Sequence, residues 1–231
     1  MKLGDEIPNF QADSTAGPID FHKIIENSWA ILFSHPADFT PVCTTELANV
    51  HKLEPDFKKR GVKLFALSCN DTESHKAWSC DVLSYYKGTV KSEKPEATGP
   101  VSETELAFPI IADPDRKLAV TYGMVDPDER DAKGLPLTCR AVFIIGPDKK
   151  LKASLLYPAT TGRSFAEILR VVDSLQLTAV KKVATPANWE PKKKAMVVPS
   201  LSDEKATELF PNFDKVSVPS GKGYIRLTDK Y

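Results

Sequence analysis

The chain of 231 residues carries no excess of charge of either sign, since lysine plus arginine and aspartate plus glutamate each number 31. That excludes partners held by bulk charge alone, with nucleic acid and strongly acidic substrates among them. Long apolar runs are missing, and none approaches the roughly 20 residues of a membrane-spanning helix. The opening Met1-Lys-Leu-Gly-Asp-Glu-Ile-Pro8 lacks both the apolar core of a secretory signal and the arginine-rich, acid-poor character of a transit peptide. The cytoplasm is the expected compartment. No internal repeat is visible. Cysteine is scarce: Cys43, Cys69, Cys80 and Cys139 are widely spaced, with no CxxC pair. In a reducing compartment they should exist as thiols rather than as a disulfide framework. No histidine–cysteine spacing fits a metal site, and no cofactor is expected.

What is present is an alternation of strands and helices. Trp29–Phe33 is a short apolar run, as in a buried central strand. From Pro41 a helix is expected, because Leu47, Val50, Leu53 and Phe57 recur every three or four residues on one face. Pro55 should kink or divide it. Val62–Ser68 is a second strand, and a helix over Thr72–Tyr86 follows it. This order predicts an α/β fold with parallel pairing. Lys87–Glu105 is polar and rich in Lys, Glu, Gly and Pro, and is expected to be a surface loop or insertion. Phe108–Ile111, a helix near Arg116–Tyr122, and a hairpin of Arg140–Ile145 with Leu151–Tyr157 around Gly146-Pro-Asp-Lys149 come next. Ser164-Phe-Ala-Glu167 is a capping box. Phe165, Ile168, Leu169, Val172 and Leu175 then give a core-facing helix. After Leu177 prolines break the chain into short pieces. The expected division is a main domain over 1–177 and a small module over 178–231 that has little core of its own and needs a partner surface.

The residues before Cys43 prepare a reactive thiol. Thr40 is a good N-cap and Pro41 suits the first helical position. Cys43 then falls in the first turn, where unpaired N–H groups and the positive end of the helix dipole favour an anion. The thiolate is the nucleophilic form of cysteine, so this position raises reactivity. Pro36 and Pro41 stiffen the approach and shield the sulfur. The Thr40 hydroxyl has two possible tasks, donating to the thiolate or orienting a bound oxygen. On helix geometry alone, inert packing of Cys43 is the competing reading.

The string Pro36-Ala-Asp-Phe-Thr40-Pro-Val-Cys43 resembles the Pro-x-x-x-Thr-x-x-Cys motif of the peroxiredoxins. Ser34-His-Pro36, Thr44-Thr-Glu-Leu47, Leu137-Thr-Cys-Arg140, Gly146-Pro-Asp-Lys-Lys-Leu151, Leu156-Tyr-Pro-Ala-Thr-Thr-Gly-Arg163 and Val183-Ala-Thr-Pro186 are similar to the one-cysteine, peroxiredoxin 6-like branch, and together they span nearly the whole chain. The resemblance implies a thioredoxin-like fold with a C-terminal dimerisation domain, and hence a homodimer. It implies that Cys43 attacks a peroxide, that Thr40 and Arg140 hydrogen-bond the peroxide and the thiolate, and that Pro36 shields the pocket. A guanidinium suits this chemistry independently, because breaking the O–O bond places charge on the leaving oxygen. As secondary assignments, His35 lines the pocket and Glu46 bridges Arg140 and Arg163. A surface salt bridge or a packed imidazole is the plainer alternative for each.

Attack converts Cys43 to a sulfenic acid, which another thiol must reduce. The two-cysteine relatives carry a resolving cysteine in the C-terminal region, but no cysteine follows Cys139 here. Cys69 and Cys80 are read as packed thiols, and so is Cys139 despite its place beside Arg140. An external thiol such as glutathione is therefore the expected reductant. Some relatives also hydrolyse phospholipid esters through a Ser–His–Asp set with the serine inside Gly-x-Ser-x-Gly. The matching positions are His22, Ser28 and Asp148, but Glu26-Asn-Ser-Trp-Ala30 lacks both glycines, so that activity is not expected. Two other classes stay open at this point: a redox sensor or chaperone switched by oxidation of Cys43, and a thioredoxin-fold scaffold with an inert thiol.

Overall fold

The chain enters through two short antiparallel strands, β1 (Gln11–Ala12) and β2 (Ile19–Asp20), and a short helix, α1 (Phe21–Ile25). Asp20 caps α1 by accepting from the Lys23 N–H. Next come β3 (Trp29–Ser34), α2 (Pro41–Lys59), β4 (Val62–Ser68) and α3 (Thr72–Gly88). A 3₁₀ turn at Val90–Ser92 leads on to β5 (Ile110–Ala112), α4 (Lys117–Tyr122), β6 (Val125–Arg130), β7 (Pro136–Thr138), β8 (Arg140–Ile145) and β9 (Leu151–Tyr157). The computed structural model describes residues 1–94 and 98–231. Residues 95–97, inside the expected Lys87–Glu105 insertion, lie outside the described residues.

The main sheet has the order β5-β4-β3-β8-β9. β3, β4 and β5 run parallel, β8 is antiparallel to β3, and β9 is antiparallel to β8. The apolar run predicted at Trp29–Phe33 is the central strand β3, and a strand paired on both sides must be apolar on both faces. α2 is the crossover between β3 and β4, which puts its N-terminus at the C-terminal end of a parallel strand, where open α/β sheets place their sites. Leu47, Val50, Leu53 and Phe57 are all buried, as the spacing predicts. Phe21, Leu32, Phe65, Tyr122 and Phe143 anchor a core cluster of this first unit.

Four expectations change. α2 runs through Pro55 undivided to Lys59, because a proline so near the helix end removes one backbone bond and leaves the preceding turns intact. The segment after Lys87 is not wholly loop: α3 extends to Gly88 and the 3₁₀ turn follows. The paired strands β6 and β7 were not expected, since Val125-Asp-Pro-Asp-Glu-Arg130 is largely exposed and has no apolar alternation. Cys80, read from the sequence as packed, is exposed: α3 buries His75, Trp78, Val82, Leu83 and Tyr86, and Cys80 lies on the opposite face.

Two compact units divide the chain, Met1–Phe165 and Ala166–Tyr231, with α5 (Phe165–Val180) crossing the boundary. In the second unit β10 (Val183–Ala184), β11 (Ala195–Val197), β12 (Asp214–Lys215) and β13 (Arg226–Thr228) form a sheet of order β10-β11-β13-β12, and α6 (Asp203–Leu209) precedes β12. A small core of Val183, Ala195, Val197, Ala206 and Phe210 holds it together. The Arg226 guanidinium ties this unit's loops by donating to the Val198 and Leu201 carbonyls and to Asp203.

Candidate active site

Cys43 is the third residue of α2 and is fully buried. Thr40 has extended backbone angles at the N-cap, and Pro41 follows as the first helical residue. Arg140, the first residue of β8, reaches across to the helix, and its Nη1 donates to Cys43 Sγ at 3.2 Å and to Glu46 Oε2 at 2.8 Å. The Arg140 Nε and Nη2 groups donate to the Ala159 carbonyl at 2.9 and 2.6 Å. The guanidinium is thus clamped between the first turn of α2 and the loop after β9.

Glu46 lies one turn beyond Cys43 and is buried. Its carboxylate accepts from Arg140 Nη1 and from Arg163 three times: the backbone N–H at 2.6 Å, Nε at 2.9 Å and Nη2 at 2.8 Å. Arg163 Nη1 donates to the Ala141 carbonyl at 2.6 Å, and the guanidinium lies over the Phe33 and Phe165 rings. Burial pushes the Glu46 carboxyl up, but the hydrogen bonds and charge of Arg163, followed by the charge of Arg140, outweigh it and hold the group below the usual carboxylate range. Two guanidiniums against one carboxylate leave one positive charge in a buried site. An anion on Cys43 would balance it, and in so dry a place that attraction is far stronger than in water.

The other predicted residues gather around the same turn. The Thr40 hydroxyl donates to the Ala37 carbonyl at 2.8 Å, so its proton is not directed to the sulfur and its oxygen keeps lone pairs with which to accept. Pro36 is buried in the loop between β3 and α2. His35 is buried, and its Nε2 meets Asp38 Oδ1 at 2.9 Å. Sequence reasoning named none of the groups beyond it. Asp38 Oδ2 faces His75 Nδ1 at 2.8 Å and accepts from Ser74 Oγ at 2.7 Å, while His75 Nε2 faces the Ile111 carbonyl at 3.2 Å. Asp38 stands in the motif loop itself, and a charged residue fixed between two prolines is the one signal that could have found it. The ligand-type atoms of His35, Asp38 and His75 lie within 4.8 Å of one another, close enough to share a cation, although hydrogen bonds already join them.

The remaining thiols differ. Burial pushes Cys69 up to about 11, and burial, followed by the charge of Asp126, raises Cys139. Both are therefore held as neutral thiols. His22, Ser28 and Asp148 are not joined by hydrogen bonds among the described residues. His22 Nε2 bonds the Ile7 carbonyl at 2.9 Å and Asp148 bonds Lys152 at 2.6 Å.

Residues 3–154 match the AhpC/TSA family, and residues 174–212 match the C-terminal domain of 1-Cys peroxiredoxin. The chain is 60% identical to peroxiredoxin-6 of Gallus gallus over 230 residues, covering 99% of this chain and 97% of that one. Identity to peroxiredoxin-6 of Homo sapiens is 55% over the same coverage. Among solved structures, a cysteine-to-serine mutant of the peroxiredoxin 6 of Arenicola marina aligns with a TM-score of 0.91 and 60% identity, covering 100% of this chain and 99% of that one. A yeast mitochondrial 1-Cys peroxiredoxin, described with a thiol resolving mechanism that runs via glutathione and thioredoxin systems, aligns with a TM-score of 0.82 and 40% identity, covering 99% of each chain.

Proposed function

The chain belongs to the AhpC/TSA family, in its one-cysteine peroxiredoxin branch, and from that premise we propose that Cys43 is its peroxidatic thiol and that Arg140, Thr40 and Pro36 complete the peroxide site. The observation that carries the reading is the 3.2 Å bond from Arg140 to the Cys43 sulfur at a helix first turn whose surrounding charges sum to a positive value. The Cys43 thiolate attacks the terminal oxygen of a hydroperoxide. An S–O bond forms as the O–O bond breaks, sulfur is oxidised to the sulfenic acid, and the leaving oxygen takes a proton and departs as water or alcohol. Four of the five Arg140 N–H bonds are committed, to Ala159 twice, Glu46 and Cys43, which leaves one for the oxygen on which charge develops. Thr40 Oγ accepts from the peroxide O–H. Glu46 and Arg163 hold Arg140 in register.

The sulfenic acid is then reduced from outside the chain. Cys69 and Cys139 are buried, neutral thiols, poor attackers of the sulfenic sulfur, and the pathway described for the yeast relative favours a donor of the glutathione or thioredoxin class. One such thiol displaces water and a second releases the mixed disulfide. Such donors are abundant in the cytoplasm, where we place the protein, and among the described residues no helix is long and apolar enough to cross a membrane. β9 is the outer strand of the main sheet, bonded by Gly4 and Asp5 at Leu151 and carrying the exposed Leu156 further along, which favours a second copy as its partner, with residues 178–231 serving as the dimerisation module.

The experiment is peroxide consumption with excess thiol. Sustained turnover that vanishes in Cys43→Ser supports the enzyme, a single stoichiometric burst supports a redox sensor, and alkylation of Cys43 no faster than of Cys69 supports an inert scaffold. Lipid ester hydrolysis is not part of this reading. Ser28 lines a cleft of about 470 Å³ with Ile24, Leu64 and Phe65, but neither His22 nor Asp148 does. If ester hydrolysis is found and falls in Ser28→Ala, that exclusion is wrong.

A further inference from the structure

Asp38 and its two histidines form a closed hydrogen-bond network. All three side chains are inaccessible to solvent. The Ile111 carbonyl can only accept, so His75 carries a hydrogen on Nε2. Asp38 accepts from the Ser74 hydroxyl, and burial, which alone would raise its carboxyl, is overridden by the bonds from His35 and His75, leaving it ionised. His75 Nδ1 lies 2.8 Å from the same carboxylate, so one hydrogen sits between that ring and Asp38. The same carboxylate fixes a hydrogen on His35 Nε2. His35 Nδ1 has no hydrogen-bond partner although it is buried, and burial disfavours the charged form of that ring. It is therefore a bare acceptor.

This network backs onto the Cys43 turn. The Asp38 N–H donates to Asn70 at 3.1 Å, which pins the loop that carries Pro36 and Thr40. The His35 ring lies 5.0 Å from Trp78, whose Nε1 donates to Thr44, the residue after Cys43, at 3.1 Å. We propose that Asp38 and His75 are positioning residues for the peroxide site: His75 anchors the Asp38 carboxylate, which locks His35 in the Nε2–H tautomer and leaves its Nδ1 free to accept a hydrogen bond. The proposal rests on the reading that the Cys43 site reduces peroxide.

The test uses the full-length protein with ¹⁵N-labelled histidine. There are four histidines, so single substitutions assign every signal. Wild type should show His35 with hydrogen on Nε2 alone. In Asp38→Asn the His35 pattern should change, and oxidation of Cys43 by hydrogen peroxide should slow at least about tenfold. His75→Gln should likewise shift the His35 signals and slow oxidation, and it decides the matter if the first variant does not fold. A lowered melting temperature with unchanged His35 signals would reduce the network to a structural tie and overturn the proposal, as would hydrogen on His35 Nδ1 in wild type, or unchanged oxidation rates in both variants. Peroxide turnover surviving Cys43→Ser would sink the underlying reading instead, whatever the histidine signals show.

Discussion

Arg140 combines bonds that no other side chain can make at once. Its planar fork reaches the Cys43 sulfur, the Glu46 carboxylate and the Ala159 carbonyl from one rigid group. Lysine keeps the charge but has a single nitrogen on a flexible stem. Arg140→Lys should therefore still fold, yet oxidise at Cys43 about 100-fold more slowly, the loss expected from one well-aimed donor to a developing oxyanion. Stopped-flow oxidation by hydrogen peroxide measures this, and a change of less than about threefold would remove Arg140 from the peroxide site. Cys43, Thr40, Arg140, Glu46 and Arg163 could all be named from the sequence because they sit in strings whose residue types match a known chemistry. The contact between Asp38 and His75 could not. Its members lie 37 residues apart on different elements, and the phase of α3 turns His75 inward without saying which group it meets there. Cys80 failed for a different reason: a cysteine is usually buried, but only the helix phase says which face it occupies.

At the scale of elements, legibility followed burial. β3, β4, β8 and β9 were readable because paired or core strands must be apolar, and α2 because its buried stripe has helical spacing. β6 and β7 were not, since β6 has no buried residue and β7 is only three residues long, too little to leave a pattern. The Lys87–Glu105 segment reads as polar loop, yet α2 holds both of its flanks from inside. Buried Lys52 donates to the Val90 and Glu93 carbonyls. His51 bonds the Ser102 carbonyl through Nε2 at 2.8 Å and accepts the Ala107 N–H on Nδ1 at 3.1 Å. Such ties use single polar residues on an otherwise apolar face, so periodicity hides them. They matter to the site because the helix that carries Cys43 in its first turn carries these anchors two turns later.

For the molecule as a whole, buried titrating groups set the pH range of stability. Burial holds His35 and His51 below the ordinary histidine value. Neutral rings are therefore favoured in the folded state, and their contribution is complete above about pH 6.5 and lost as pH falls below it. Asp38 and Glu46 are held below the usual carboxylate range, so their contribution persists until about pH 4 and is lost on further acidification. Cys69, pushed up to about 11 by burial, works on the alkaline side, where the unfolded chain ionises first and stability declines from about pH 8.5 upward. The acid limb should thus have two steps, the first with a slope of up to about 1.4 kcal/mol per pH unit for each histidine. Urea unfolding between pH 4.5 and pH 8, read by tryptophan fluorescence, measures it. His51→Gln leaves only His35 to produce the first step and should roughly halve its slope. Because His51 accepts a backbone N–H on Nδ1, protonation breaks that bond, and the step should coincide with faster amide exchange at Ala107. A His51→Gln slope equal to wild type would mean that His51 titrates alike in both states and that the clasp between α2 and the 102–107 segment does not sense pH.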